Sequence, residues 1–311
     1  YEFPITWDEG GVAETTWDIP KSARLGEYEV ILLKEPGKRD GWVSGRFRVE
    51  EFRVPFMKAI IQSQAKDLIS PEDVPVDLAV TYLAGGGAGN LPVKFRSHIQ
   101  PRYIKDFEGF EGFTFANGPV REGKIRRGDE ESEDGERYKL QSIDLTLDTA
   151  GGARTYIADI PDIKRPMEIL TELEFKDPNG EVQTVSSRIP IWHSKWLIGI
   201  KPDSWALSRE SFKFLVGVVD ISGKPVSEAP VNVEILERKI YSHRKRLVGG
   251  FYAYESFEEI KHIGSLCEGK TDMRGLLICD VKSPVSGEVI LQAKTTDDIG
   301  NGTSANKSIW V

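Results

Sequence analysis

The chain has 311 residues, enough for two or three domains with real hydrophobic cores. Its 49 acidic and 41 basic residues leave a net charge of -8, which argues against a nucleic-acid backbone or an anionic membrane as the main partner. No stretch approaches the roughly 20 apolar residues that span a bilayer, and no signal peptide or lipidation motif is present.

The first predicted elements are a turn at Thr6-Trp7-Asp8-Glu9-Gly10-Gly11, a corner at Trp17-Asp18-Ile19-Pro20 and strands within 28–33 and 43–52. Arg53-Val54-Pro55 ends this part, because a proline cannot continue a central ladder. A strand over 74–83, the run Gly85-Gly86-Gly87-Ala88-Gly89 and a strand at Leu91-Pro92-Val93-Lys94-Phe95 follow. The stretch 101–137 comes next as an insertion, first crowded with Phe107, Phe110, Phe113 and Phe115, then almost all charge and glycine. Its aromatics are expected to plug the open end of a sandwich and its acidic remainder, 129–136, to form a solvated loop.

A strand over 140–147 leads to a second copy of the opening pattern. The copy has the turn Leu147-Asp148-Thr149-Ala150-Gly151-Gly152, the corner Ala158-Asp159-Ile160-Pro161, and strands over 169–175 and 182–190. Residues 192–201 then pass into a third part, with strands over 211–219, 231–236 and 289–293. It carries a third turn at Thr271-Asp272-Met273-Arg274-Gly275 and a closing strand over 301–311. Upstream strands precede only the second and third copies, so the chain reads as about two and a half modules. Residues 1–53 are expected to be the C-terminal part of a domain, 54–194 a whole domain with the insertion, and 195–311 another.

Helix signals are scarce, while Val, Ile, Tyr and Phe recur in short alternating runs between turn formers such as Asp177-Pro178-Asn179-Gly180. That spacing predicts an all-β chain of tandem antiparallel β-sandwiches, the first one partial, with about seven strands per module. The linkers are short and lack a Gly/Ser tract, so a fixed array of modules is expected. Large or rigid groups beside the boundaries, Phe52, Arg53, Pro55, Trp192, Trp196 and Trp205, are the candidate interdomain junction residues.

Reactive groups are few, and no catalytic residue, cofactor or metal site is assigned. His98, His193, His243 and His262 lack metal-ligand spacing, and the chain holds neither a nucleophile elbow nor a phosphate loop followed by a helix. The glycine run at 85–89 reads as a strand connection. The repeated Asp-x-x-Gly turns, and Asp297-Asp298-Ile299-Gly300-Asn301, bring too few oxygens for calcium and suit tight turns instead. Arg127-Gly128-Asp129 spells an integrin-recognition tripeptide too short to carry weight, and Asn301-Gly302-Thr303 and Asn306-Lys307-Ser308 are glycosylation sequons. The basic stretch Arg238-Lys239, His243-Arg244-Lys245-Arg246 and Lys261, interleaved with Tyr241, Phe251, Tyr252 and Tyr254, reads as an amphipathic hairpin with snorkelling cations, the alternative being a docking surface. Cys267 and Cys279 flank the Asp272 turn; if it joins two paired strands their side chains face each other and a disulfide fits, the alternative being two reduced core thiols. A bridge implies an oxidising compartment.

Phe47-Arg48-Val49-Glu50-Glu51-Phe52-Arg53-Val54-Pro55, with Tyr82-Leu83-Ala84-Gly85-Gly86 beyond it, resembles the macroglobulin-domain junctions of bacterial alpha-2-macroglobulins. Arg244-Lys245-Arg246, Gly249-Gly250-Phe251-Tyr252-Ala253-Tyr254-Glu255, Cys267, Gly269-Lys270-Thr271-Asp272 and Cys279 resemble a later macroglobulin module of the same proteins. The resemblance implies a periplasmic, membrane-anchored protease trap, in which a bait is cut, the body rearranges and a Cys-Gln thioester captures the protease. No Cys-x-Glu-Gln motif occurs here, and Cys267-Glu268-Gly269 has no glutamine, so the expected role is a scaffold without thioester. Its partners would be proteases, reached through the full-length protein, adjacent domains of the parent chain, and other periplasmic proteins. Nucleic acid and direct membrane contact are not expected, nor is enzymatic turnover. The alternative is the sandwich stalk of a surface adhesin; a glycan-processing enzyme would need a carboxylate pair that the sequence does not offer.

Overall fold

The structure is a computed structural model that describes the chain except residues 21, 36, 39, 51–54, 105, 127–137 and 247–251. It divides into two compact units, Tyr1–Pro55 and Phe56–Val311. Among the described residues every regular element is a strand.

In the first unit β1 (Gly26–Leu33) pairs antiparallel with β2 (Gly41–Val49), with a bulge between Val30 and Ile31. One face gathers aromatics, Tyr28 stacked on Phe47 with 5.4 Å between ring centroids, and Trp17 tilted against Tyr28 and edge-on to Phe47. Ile31, Trp42 and Val43 on these strands are exposed.

The second unit holds two sandwiches. In the first, β3 (Met57–Ser63), β5 (Val74–Tyr82) and β10 (Gly152–Ile157) form a three-stranded sheet in the order β10-β5-β3. The facing five-stranded sheet runs β4 (Leu68–Ile69), β12 (Val182–Trp192), β11 (Met167–Lys176), β6 (Pro92–Pro101), β9 (Tyr138–Thr146). All these pairs are antiparallel except β4 with β12. Strict period-two alternation positions the core. Val74, Val76, Leu78 and Val80 point inward from β5 against Val93, Phe95 and Ile99 of β6 and Ile169 and Leu173 of β11. The opposite face of β6 and β11 is a charged ladder, Arg96 Nη2 lying 2.7 Å from Glu174 and Gln100 Nε2 2.6 Å from Glu168.

The second sandwich opposes a four-stranded sheet, β17 (Leu276–Val281), β14 (Phe212–Asp220), β13 (Trp196–Pro202), β7 (Thr114–Phe115), to a five-stranded one. The latter runs β19 (Gly302–Trp310), β18 (Glu288–Thr296), β15 (Pro230–Arg246), β16 (Tyr252–Lys270), β8 (Gly123–Arg126). Phe212, Phe214, Val216 and Val218 pack between the sheets on Val231, Val233, Ile235 and Leu291. Burial is continuous along Leu197–Ile198–Gly199–Ile200 and Val289–Ile290–Leu291, so both faces of β13 and β18 are covered.

The Cys267–Cys279 disulfide is present with Cα atoms 6.2 Å apart, but not across a strand pair. Cys267 lies on β16 beside Val233, and Cys279 on β17 beside Phe214. The Asp272 turn carries the chain from one sheet to the other, so the bridge staples the two sheets through the core. The expectation of two facing, hydrogen-bonded strands is corrected accordingly.

Candidate functional site

The outer cover of the second sandwich comes from the first. The segment 101–126 leaves β6, and its two short strands extend the two sheets of the neighbouring sandwich: β7 pairs with β13, β8 with β16. This strap carries the aromatics expected to plug a sandwich end. They lie instead on the outer face of the four-stranded sheet, where Phe107, Phe110, Phe113 and Phe115 interlock with centroids 5.1–5.9 Å apart.

Glycines make the floor for these rings. A Cβ at Gly199 would stand 2.6 Å from the Phe115 ring and one at Gly217 2.8 Å from Phe110, so any side chain there would lift the knot off the sheet. Ala116, Trp192, Leu197 and Val219 are buried in the same cluster, and Lys201 donates to the Glu111 carbonyl at 2.8 Å.

Beyond β7 the strap crosses the outside of the five-stranded sheet. Asn117 and Asn306 exchange hydrogen bonds, Nδ2 of Asn117 donating to the Asn306 carbonyl at 3.0 Å and the Asn306 amide to Asn117 Oδ1 at 2.8 Å. Asn306 Nδ2 also donates to the Gly118 carbonyl at 2.9 Å. The Val120 amide donates to buried Gln292 Oε1 at 2.5 Å, and its side chain covers Leu236, Ile260 and Ile290. The engaged amide of Asn306 and the buried hydroxyl of Thr303 leave both sequons poorly disposed for a glycan in the folded chain.

A second coupling lies in the linker His193–Ser194–Lys195 between β12 and β13. At Asp8, Asp148, Asp177, Asp220, Asp272 and Asp297, Oδ1 accepts the amides two and four residues on, at 2.8–3.0 Å. The glycine three residues on takes positive φ and donates to the aspartate carbonyl. These carboxylates are thus engaged by their own loops. Among the described residues no group of three or more His, Cys, Asp or Glu is disposed to hold a metal.

Asp297 does more than close its loop. Its Oδ2 accepts the Ser194 hydroxyl and the Lys195 amide, both at 2.9 Å, and Lys195 Nζ sits 3.1 Å from Asp298. Burial acts to raise the Asp297 carboxyl, but the amides of Lys195 and Asn301, the Ser194 hydroxyl and the Ile299 amide outweigh it and hold it below its usual range. His193 is 3% exposed, with Nε2 2.9 Å from Thr303 Oγ1 and its carbonyl accepting the Ser70 hydroxyl at 3.0 Å. Burial pushes its imidazole down to about 4, Asp297 opposing the shift and Lys164 adding to it.

Of the junction residues named from sequence, Trp192 and Trp196 flank this linker. Trp192 is buried with the Arg102 guanidinium 4.7 Å from its ring centroid, and Trp196 packs on the second core. Trp205 is 80% exposed in the β13–β14 loop, with its carbonyl accepting the Trp310 amide at 3.0 Å, away from the linker. Pro55 is exposed, and Phe52 and Arg53 lie outside the described residues, as do Arg127-Gly128-Asp129 and the acidic 129–136 stretch. Sequence reasoning read Asp297 as a turn residue and Asn306 as a sequon but missed their coupling contacts, and it missed Ser194, Asn117 and Gln292 altogether. The glycine run at 85–89 is a close approach: a Cβ at Gly87 would fall 1.7 Å from the Ala150 carbonyl oxygen. The basic stretch forms the long arm of the β15–β16 hairpin, where His243 stacks on Phe257 at 5.0 Å and Lys124 of the strap lies 4.8 Å from the Tyr241 and Phe257 centroids.

Successive antiparallel sandwiches, joined by a pinned linker and by a strap from one onto the next, make this a multi-sandwich β protein. No family model matches the chain. Over 307 residues, 98% of the chain, it is 24% identical to the alpha-2-macroglobulin homolog of Nostoc sp., and over 260 residues, 79% of the chain, 23% identical to the alpha-2-macroglobulin of Xylella fastidiosa. It spans only 15% and 14% of those relatives. Among solved structures it is similar to E. coli alpha-2-macroglobulin in its native conformation, with TM-score 0.65 and 15% identity over 97% of the chain and 19% of that one. It is also similar to Salmonella alpha-2-macroglobulin reacted with methylamine, with TM-score 0.62 and 16% identity over 98% of the chain and 20% of that one. The E. coli protein activated by porcine elastase gives TM-score 0.60 at 16% identity over 98% of the chain and 26% of that one. In sequence the chain is similar to bacterial alpha-2-macroglobulins, and it shares the fold of their solved structures.

Proposed function

We propose that this chain is a scaffold segment of an alpha-2-macroglobulin-type protease inhibitor, working by mechanics rather than by chemistry of its own. In this reading 54–194 and 195–311 are successive macroglobulin-like domains and 1–53 the C-terminal part of another. The carrying observation is the double coupling of the two sandwiches, by the strap with its phenylalanine knot and by the Asp297-pinned linker. A trap that rearranges after a proteolytic cut needs parts that stay rigid while others move, and short pinned linkers supply them.

The chain contributes no thioester, since both its cysteines are spent on one disulfide. That disulfide also favours an oxidising compartment, a periplasm with a membrane-anchored parent. Proteases are its partners through the whole protein, and no turnover comes from this segment.

The test uses the intact gene product, mixed with trypsin or elastase and assayed on a large protein substrate and on a small chromogenic peptide. Protection of the protein substrate with the peptide still cleaved supports the trap, and Phe110→Ala with Phe115→Ala should weaken protection. Equal cleavage of both substrates with and without the gene product overturns it.

A further inference from the structure

We propose that the linker at His193 is an acid-sensitive elbow, in which protonation of the buried imidazole unlatches the linker from the second sandwich and loosens its coupling to the first. His193 is held from both sides: Ser70, just after β4, donates to its carbonyl, and Thr303 of β19 meets Nε2 at 2.9 Å. Nδ1 is buried without a hydrogen-bond partner. The neutral ring suits this setting, with Nε2–H donating to the Thr303 hydroxyl and a bare lone pair at Nδ1. The cation does not, because a second N–H would point into a closed space with no acceptor.

The charged groups facing the ring do not rescue it. Asp297 lies near, but its oxygens already accept the Ser194 hydroxyl and the amides of Lys195, Ile299 and Asn301. Lys164, from the loop between β10 and β11, opposes a second cation. On the linker itself Lys195 is paired with Asp298, and beside it the Arg102 guanidinium lies against Trp192. Burial, the largest influence, with Lys164 in support and Asp297 against, brings the imidazole to about 4. An opened linker would expose the ring to water, where it titrates near 6.5. The closed form therefore binds fewer protons than the open one, and the latch is fully stable above pH 6.5 and weakens as pH falls toward 4. With these values the open-to-closed ratio rises on the order of 30-fold between pH 7.5 and pH 5. The strap stays attached, so the outcome is a looser coupling and not separation.

The experiment is hydrogen exchange on the whole chain at pH 7.5 and 5, corrected for intrinsic rates, followed at Lys195 and Trp196, whose amides donate to Asp297 and to Ser194 Oγ. Wild type should lose about 30-fold of protection there on acidification, and His193→Gln, which keeps a donor for Thr303 but cannot titrate, should lose none. An equal pH response in both proteins overturns the elbow. Should the variant not fold, the NMR titration of His193 Cε1–H in wild type decides: a midpoint near 4 supports it, and an ordinary histidine midpoint overturns it.

Discussion

Asp297→Ala is the sharpest probe of the pinned linker, because the protein contains its own control. Asp272 closes the same kind of loop, with Oδ1 accepting two backbone amides, but its second oxygen is taken by Arg274 within the loop. Asp297 instead gives Oδ2 to Ser194 and Lys195, both at 2.9 Å. Hydrogen bonds to an ionised acceptor are worth about 1.5–3 kcal/mol each, and relaxation of the freed linker toward water favours the lower end, so these two contribute about 3 kcal/mol. At a slope of about 2 kcal/mol per molar urea, Asp297→Ala should lower the unfolding midpoint by about 1.5 M from the linker bonds alone. Urea titration followed by fluorescence of Trp192 and Trp196, which flank the linker, reads the effect. Asp272→Ala should move the midpoint clearly less. Equal shifts for the two variants would refute the assignment of Asp297 to the linker. Because its carboxyl is held below the usual range, this contribution is present above about pH 4 and lost as pH falls through the lowered value.

Phe110→Ala should destabilise the second unit by about 3–5 kcal/mol in chemical denaturation. Gly217→Ala, which drives a methyl toward the Phe110 ring, should cost about 1–3 kcal/mol; a neutral Gly217→Ala would show that the ring does not rest on that floor. Removing the Cys267–Cys279 bridge, which closes a loop with a sequence separation of 12, should cost about 3 kcal/mol. Iodoacetamide should label neither cysteine until a reductant is added, and labelling of the untreated protein would exclude the bridge.

The sandwich architecture was legible where one face of a strand meets water. In β5, β6 and β11 apolar and polar residues alternate cleanly, and the fold follows from that pattern. It was less legible where both faces are covered. Leu197–Ile198–Gly199–Ile200 fell inside a stretch read as a linker, yet its unbroken apolar run was the signal of a strand awaiting a second cover. The cover itself carries little local signal: β7 has two residues and β8 four, so their pairing depends on the sheet edges they meet. Propensity cannot report such long-range partners. The Asp297 turn was readable as a turn, but not the use of its second oxygen, because Ser194 is about a hundred residues away in sequence. The sheet-to-sheet disulfide differed from its expected geometry for the same reason, since a turn motif does not say whether its arms share a sheet.

A scaffold segment requires residues 56–311 to behave as one coupled body, and native-state hydrogen exchange in rising urea tests that most directly. Core amides of β5 and β6, such as Val76 and Phe95, should open with the same free energy and urea dependence as those of β14 and β15, such as Val216 and Val233. The two sets should part when Phe110 and Asp297 are replaced together by alanine. If the wild-type sandwiches already open in two separate steps, the strap and the pinned linker do not couple them, and the scaffold reading is contradicted.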